Sequence, residues 1–288
     1  MRRIASYGLL ALIAAAFLAP WLAPQDVFDL ADVELSDAEL PPVGLGAADP
    51  RFVLGTDGQG RDLLSLILHG LRISIVVGGL SLLLAVGIGV PAGLLAGHLG
   101  GPLDAILMRL ADIQLSFPAL LLALTLDGAA AGLIETERRE SLIVPVLVIA
   151  IGLSQWAIFA RALRSSTLAE SHKEYVEAAR LIGVGKISIL IRHVLPNALT
   201  PLYSLAAIQF ATAVLIESTL SFLGVGFPPT APSLGTLVRT GADFLFSGQW
   251  WLVLFPGLTL VALALAVNLV GEGLSRKLDP RTQTGPAA

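Results

Sequence analysis

The chain contains no cysteine, which excludes disulfides, thiolate metal sites and a cysteine nucleophile. Charge is also scarce: 14% of the 288 residues are Asp, Glu, Lys or Arg, against about 25% in soluble domains. Apolar residues take their place, at 55% of the total with a mean hydropathy of +0.80. The net charge of −4 hides a segregation along the chain, so the total alone points to no nucleic-acid or acidic partner. Histidine is rare too: His69, His98, His172 and His193 all fall in loops or at the ends of apolar runs. No metal-ligating pattern is therefore expected.

The apolar residues come in long runs. A bilayer core of about 30 Å needs roughly 20 mostly apolar residues per helix, and windows near 4–23, 73–96, 104–126, 142–161, 199–223 and 251–270 meet that length. The expected fold is an all-α polytopic membrane protein with about six transmembrane helices. A closed β-barrel is excluded, because barrel strands alternate apolar and polar residues whereas these runs are continuously apolar. The third window carries Arg109 and Asp112 near its start, and Pro118 should bend it. Arg2-Arg3 ahead of the first run could open a cleavable signal peptide. Pro20 and Pro24 crowd the small-residue sites at Ala19 and Ala23, and the run is long, so a retained helix is expected.

Orientation follows from Lys and Arg. With the N-terminus inside, only Arg51, Arg61, Arg72, Arg138, Arg139 and Arg239 of the 18 basic residues fall outside. Both termini are then expected in the cytoplasm. Three parts follow: 1–71, a first helix and an acidic outer loop; 72–273, a core of five helices with a cytoplasmic loop at 164–198; and 274–288, a cytoplasmic tail. The outer loop should be irregular and held by the helix mouths. Its glycine-dense end, Leu54 to Asp62, lacks the Gly-Lys-Ser/Thr of a phosphate loop, and predicts a turn into a surface helix at 62–71.

The cytoplasmic loop is polar and helix-forming. Glu174, Glu177, Ala178, Ala179, Arg180 and Leu181 favour a short helix over 173–182, and Gly183 and Gly185 should break it through left-handed backbone angles. Pro196 should stiffen entry to the fifth span. The expected product is a stiff knob in which Ala178 and Ala179 allow close approach of a partner, while Glu177 and Arg180 offer charge-assisted hydrogen bonds. The plainer reading is a solvated helix with a Lys173–Glu177 pair.

Within the membrane, Gly89, Gly93 and Gly97 recur at the spacing that lets helices approach closely. Packing inside the subunit is preferred to a dimer seam. A charge at mid-bilayer costs at least about 2.5–3.5 kcal/mol, so Glu217 stands out. It is a candidate for a pathway or a subunit interface, or for a buried hydrogen bond to a neighbouring helix. Gln209, Asn268 and Gln155 are weaker candidates of the same kind.

Several motifs carry a family resemblance. Glu177-Ala178-Ala179 with Gly183, then Leu195-Pro196-Asn197, resembles the EAA loop of ABC importer permeases. Leu54-Gly55-Thr56-Asp57, Gly60-Arg61-Asp62 and Arg72-Ile73-Ser74 are similar to the C-type permease subunit of the dipeptide, oligopeptide and nickel branch. So are Glu217 with Ser221-Phe222-Leu223-Gly224, Gly226-Phe227-Pro228-Pro229 with Pro232-Ser233, and Asn268-Leu269 with Leu278-Asp279-Pro280-Arg281. Two stretches depart from the pattern: His193 stands where the broad motif prefers isoleucine, and 127–141 matches nothing in it.

The resemblance implies a permease for peptides or a related small solute in a bacterial or archaeal plasma membrane. Glu174, Tyr175, Glu177, Ala178, Ala179, Arg180, Gly183, Leu195 and Pro196 would form its ATPase-coupling loop. Its partners would be a homologous permease in a heterodimer, two ABC ATPase subunits, an extracytoplasmic solute-binding protein and the lipid bilayer, with no nucleic acid. ATP and Mg would be used by the ATPases, and this chain would bind no cofactor. The chain itself is not expected to be an enzyme, since Gly183-Val184-Gly185-Lys186 runs into Ile187 where a Walker lysine precedes Ser or Thr. A secondary transporter is the alternative, but one deep carboxylate and no visible repeat make a poor case. An intramembrane protease at Ser154 lacks a mid-membrane base.

Overall fold

A computed structural model describes residues 2–29, 32–46, 48–133 and 136–278. It is almost wholly helical, and its only β pairing among those residues is the single bridge of Thr56 with Asp62. The helices are α1 (Arg2–Phe17), α2 (Leu63–Leu99), α3 (Gly101–Leu115), α4 (Ala119–Leu133), α5 (Thr136–Ser171), α6 (Glu174–Leu181), α7 (Leu202–Phe222), α8 (Leu234–Phe244) and α9 (Trp251–Leu278). In lipid a backbone must satisfy its own N–H and C=O groups, which is why the apolar runs become helices.

Four of them, in α2, α5, α7 and α9, are each long and apolar enough to cross a membrane. The expected third span is instead the pair α3 and α4, bent by 89°. Pro118 has no N–H, and its ring opposes the carbonyl four residues earlier in an unbroken ladder. The chain turns at Ser116, whose hydroxyl donates to the Asp112 carbonyl at 2.8 Å. The first run gives a 16-residue helix and then a short turn at Ala19–Leu22 with Pro20 at its start.

Residues 62–71 do not form a separate surface helix. They are the first turns of α2, a single helix of 37 residues that continues through Pro91. Leu63, Leu66, Ile67 and Leu71 are buried in one apolar cluster with Leu234, Leu237, Trp251 and Leu252. Packing against α8 and the start of α9 therefore extends the span above the apolar run. Asp62 caps the helix, its carboxylate accepting from Ser65 N at 2.8 Å, a bond typical of a helix start.

The outer loop is held by its ends. Gln25 Oε1 accepts from Asp62 N at 2.6 Å, the Arg61 guanidinium donates to the Pro229 carbonyl at 3.1 Å, and Gln249 Nε2 donates to Glu39 at 2.8 Å. Gly60 sits at φ +84°, where a Cβ would run into the Glu34 carbonyl oxygen. That glycine serves a tight turn. Of the expected tail, residues 279–288 lie outside the described residues, as do Glu135 and the Asp279-Pro280-Arg281 match.

The glycine stripe seats α2 on α5. A Cβ on Gly89 would strike the Trp156 carbonyl and one on Gly93 the Ala160 carbonyl, while one on Gly97 would lie 2.8 Å from Thr167 Cβ. All three therefore pack within the subunit. Two ion pairs tie α3 to α5: Arg164 forks onto Asp104 at 2.5 and 2.6 Å, and Arg161 lies 3.6 Å from Asp112.

Candidate functional site

Between α5 and α7 the chain leaves the bundle as a knob. His98, at the end of α2, lies within electrostatic reach of Arg180 and Lys186, so the knob stands at the end of the bundle opposite the acidic loop. In α6, Glu174 and Glu177 occupy the first turn and Arg180 the last, each sign where the helix dipole favours it.

The end of α6 is a full Schellman cap. Val184 N donates to the Ala179 carbonyl and Gly183 N to the Arg180 carbonyl, both at 3.1 Å, with Gly183 at φ +84°. That double bond satisfies carbonyls the helix would otherwise leave open. The expectation for Gly185 is corrected: its φ is −63° and it starts the next turn, Lys186–Ile189. Residues 190–194 then widen into a π-helical turn, just before Pro196, which cannot donate to an α-helical ladder.

The base of the knob is stapled. The Tyr175 hydroxyl donates to Glu170 Oε2 at 2.8 Å and accepts from Asn197 Nδ2 at 3.2 Å, and Asn197 also donates to the His193 carbonyl at 2.8 Å. One side chain thus joins the end of α5, α6 and the returning segment. Burial and the neighbouring Glu170 carboxylate raise the Tyr175 phenol above its usual range, which keeps its proton available to donate. Lys173 pairs with Glu170 at 2.5 Å and not with Glu177.

The two alanines separate. Ala179 faces inward, packed with Val176, Ile189, Leu190 and Val194 against Phe159 and Leu163 of α5, so it supports the knob instead of meeting a partner. Ala178 is exposed, as are Glu174, Glu177, Arg180 and Pro196, while Leu195 packs at the edge of the cluster. The sequence reading missed the tip. Leu181 is 88% exposed, Ile182 80% and Ile187 73%, an aliphatic end on an otherwise polar loop. The signal was present as apolar residues off the face marked by Val176 and Ala179, where a solvated helix carries charge.

Glu217 is fully buried within this chain. Its carboxylate accepts from Ser74 of α2 at 2.8 Å and Ser221 at 2.9 Å, with Ser218 at 3.3 Å. The hydroxyls replace water, which accounts for a carboxylate in this place. Glu217→Ala should lower thermal stability by about 1–3 kcal/mol by leaving those hydroxyls unpaired, whereas Glu217→Gln should stay close to wild type in a fluorescence melting assay. Gln209 is buried with its Nε2 unpartnered, Gln155 is buried with neither amide atom partnered, and Asn268 is exposed, donating to its own Ala264 carbonyl.

Comparison with known proteins adds a second line. Residues 89–284 match the family described as binding-protein-dependent transport system inner membrane component. The chain is 38% identical to a di/tripeptide transport system permease of Pseudomonas aeruginosa, over 95% of this chain and 86% of that one. It is 35% identical to a dipeptide transport system permease of Haemophilus influenzae, over 97% and 91%. It is 33% identical to a glutathione transport system permease of Pectobacterium atrosepticum, over 96% and 85%. In fold it is similar to a chain of the inward-facing MetNI methionine ABC transporter, with a TM-score of 0.60 at 20% identity, covering 74% of this chain and 96% of that one.

Proposed function

This chain belongs to the family of binding-protein-dependent transport system inner membrane components, and on that premise we propose that it forms one half of the pathway of an ATP-driven importer for di- or tripeptides or a related small solute. It is a multi-pass membrane permease of an ABC transporter. The other half would be a homologous permease. Two ATPase subunits would bind and hydrolyse ATP with Mg, and an extracytoplasmic binding protein would deliver the cargo to a bacterial or archaeal plasma membrane.

The observation that carries the coupling role is the knob: capped, stapled and packed at its base, and aliphatic at its tip. A rigid projection transmits displacement, and an exposed apolar end recovers free energy when a partner groove covers it. Closure of the ATPases would draw the knobs of both permeases together. Because α5 carries the knob and is seated on α2 and pinned to α3, the movement would reach three membrane segments at once.

Reconstitution tests this reading. The isolated chain in liposomes should neither hydrolyse ATP nor accumulate dipeptide, and uptake should appear when the second permease, the ATPases and the binding protein are added with ATP. Proton-driven uptake by the isolated chain would favour a secondary transporter instead. Orientation has its own check, since the sequence holds no cysteine. A cysteine at exposed Ser36 should react with an impermeant thiol reagent in intact cells, and one at exposed His172 only after permeabilisation. Labelling of His172→Cys in intact cells would place the knob on the wrong side for an ATPase.

A further inference from the structure

On the outer half of α2, a cavity of about 290 Å³ is lined by Phe28, His69, Arg72, Ile73, Val76 and Val144. Arg72 is exposed, and among the described residues no side chain or carbonyl pairs with it. It immediately precedes the apolar run that begins at Ile73, which puts the guanidinium at the height where lipid headgroups begin. His69 lies one turn above on the same face. Its Nδ1 is 2.9 Å from the Ser65 carbonyl, and its ring meets Phe28 edge-on at 5.1 Å. A carbonyl can only accept, so Nδ1 carries a proton, and in that tautomer Nε2 is left as an acceptor.

Below the cation the same face stays apolar. Ile73 and Val76 are followed by Leu80, 43% exposed, and Leu83, 66% exposed. From Arg72 to Leu83 the stripe descends about 16 Å at the helical rise of 1.5 Å per residue, roughly the length of a fatty acyl chain.

We propose that this groove is a phospholipid site with the chemistry of phosphatidylglycerol. Arg72 takes the phosphate through its planar fork of N–H donors. A glycerol hydroxyl of the headgroup donates to His69 Nε2, and one acyl chain lies along Ile73, Val76, Leu80 and Leu83. Hydroxyls fit His69 better than an ethanolamine head, because they donate without placing a second cation beside Arg72. A peptide fits the lower groove poorly, since nothing along that stripe would pair with its backbone groups. The site rests on the membrane placement of α2 alone and holds whatever solute is carried.

Native mass spectrometry of the full transporter complex tests the assignment, with phosphatidylglycerol, phosphatidylethanolamine and phosphatidylcholine of identical chains as probes. The wild type should retain phosphatidylglycerol over the other two. Arg72→Gln should lower that retention by at least about tenfold, because a charge-assisted fork is lost, with Arg72→Lys intermediate. His69→Phe should retain the lipid but discriminate less between the glycerol and ethanolamine heads. Equal retention of all three lipids by the wild type, or unchanged retention in Arg72→Gln, would overturn the proposal. Two other results would also overturn it: a raised KM for dipeptide with unaltered lipid retention, giving the cation to cargo, or loss of the second permease from the Arg72→Gln complex, giving it to a subunit contact.

Discussion

Gly93→Val should leave almost no assembled permease, whereas the same substitution at Gly87, on the same helix, should be tolerated. A Cβ at 93 would strike the backbone carbonyl of Ala160, while a Cβ at 87 meets nothing within 4 Å. Overpacking costs typically about 1–3 kcal/mol when side chains can yield, and here the obstacle is backbone, flanked by a similar backbone contact at Gly89 and a looser one at Gly97. The whole α2–α5 seam would have to open, taking with it the helix that carries the knob. Fluorescence-detected size exclusion of the solubilised complex reads the outcome. Recovery of Gly93→Val at the wild-type level would mean that the two backbones do not touch.

The double substitution Leu181→Asp with Ile182→Asp should abolish uptake and release the ATPases while leaving the membrane core intact. Both side chains are almost fully exposed, so they bury nothing in their own fold, but burying such a residue against a partner is worth about 1.5–3 kcal/mol. Losing two corresponds to roughly a hundredfold or more in association, at about 1.4 kcal/mol per factor of ten. Smaller losses are expected nearby. Glu177→Ala removes a carboxylate able to form a charged hydrogen bond of about 1.5–3 kcal/mol. Gly183→Val meets no neighbour within 4 Å and strains only the left-handed backbone, by about 1–2 kcal/mol. Copurification of the ATPases and ATP-dependent uptake rank the variants, and full ATPase association of the double aspartate variant would remove the tip from the coupling interface.

Local chemistry was legible wherever the cause is local. The short helix after Lys173, its end at Gly183 and the packing role of the glycine stripe follow from propensity, backbone freedom and side-chain size, which act over a few residues. Gly185 was misread because glycine permits a positive φ without requiring one; its neighbour had already completed the cap. Ala178 and Ala179 look interchangeable in sequence, and only the direction from which α5 underlies the knob buries the second. The tip was overlooked because charged residues drew attention to the flank of α6, while the exposure of Leu181, Ile182 and Ile187 depends on where the cap turns the chain.

The sequence by itself determined that this is a helical membrane protein with a polar, glycine-capped loop between two spans. Continuous apolar runs must close their own hydrogen bonds in lipid, and the helix is the local way of doing so. Tertiary structure alone decided the rest: that Glu217 is enclosed by serines, that α3 and α4 lie almost at right angles, and that 62–71 extends a span. Each depends on which face of one helix meets which face of another. That choice is made by packing between residues far apart in the chain, such as Ser74 with Glu217 and Gly93 with Ala160, and no window of sequence contains both partners.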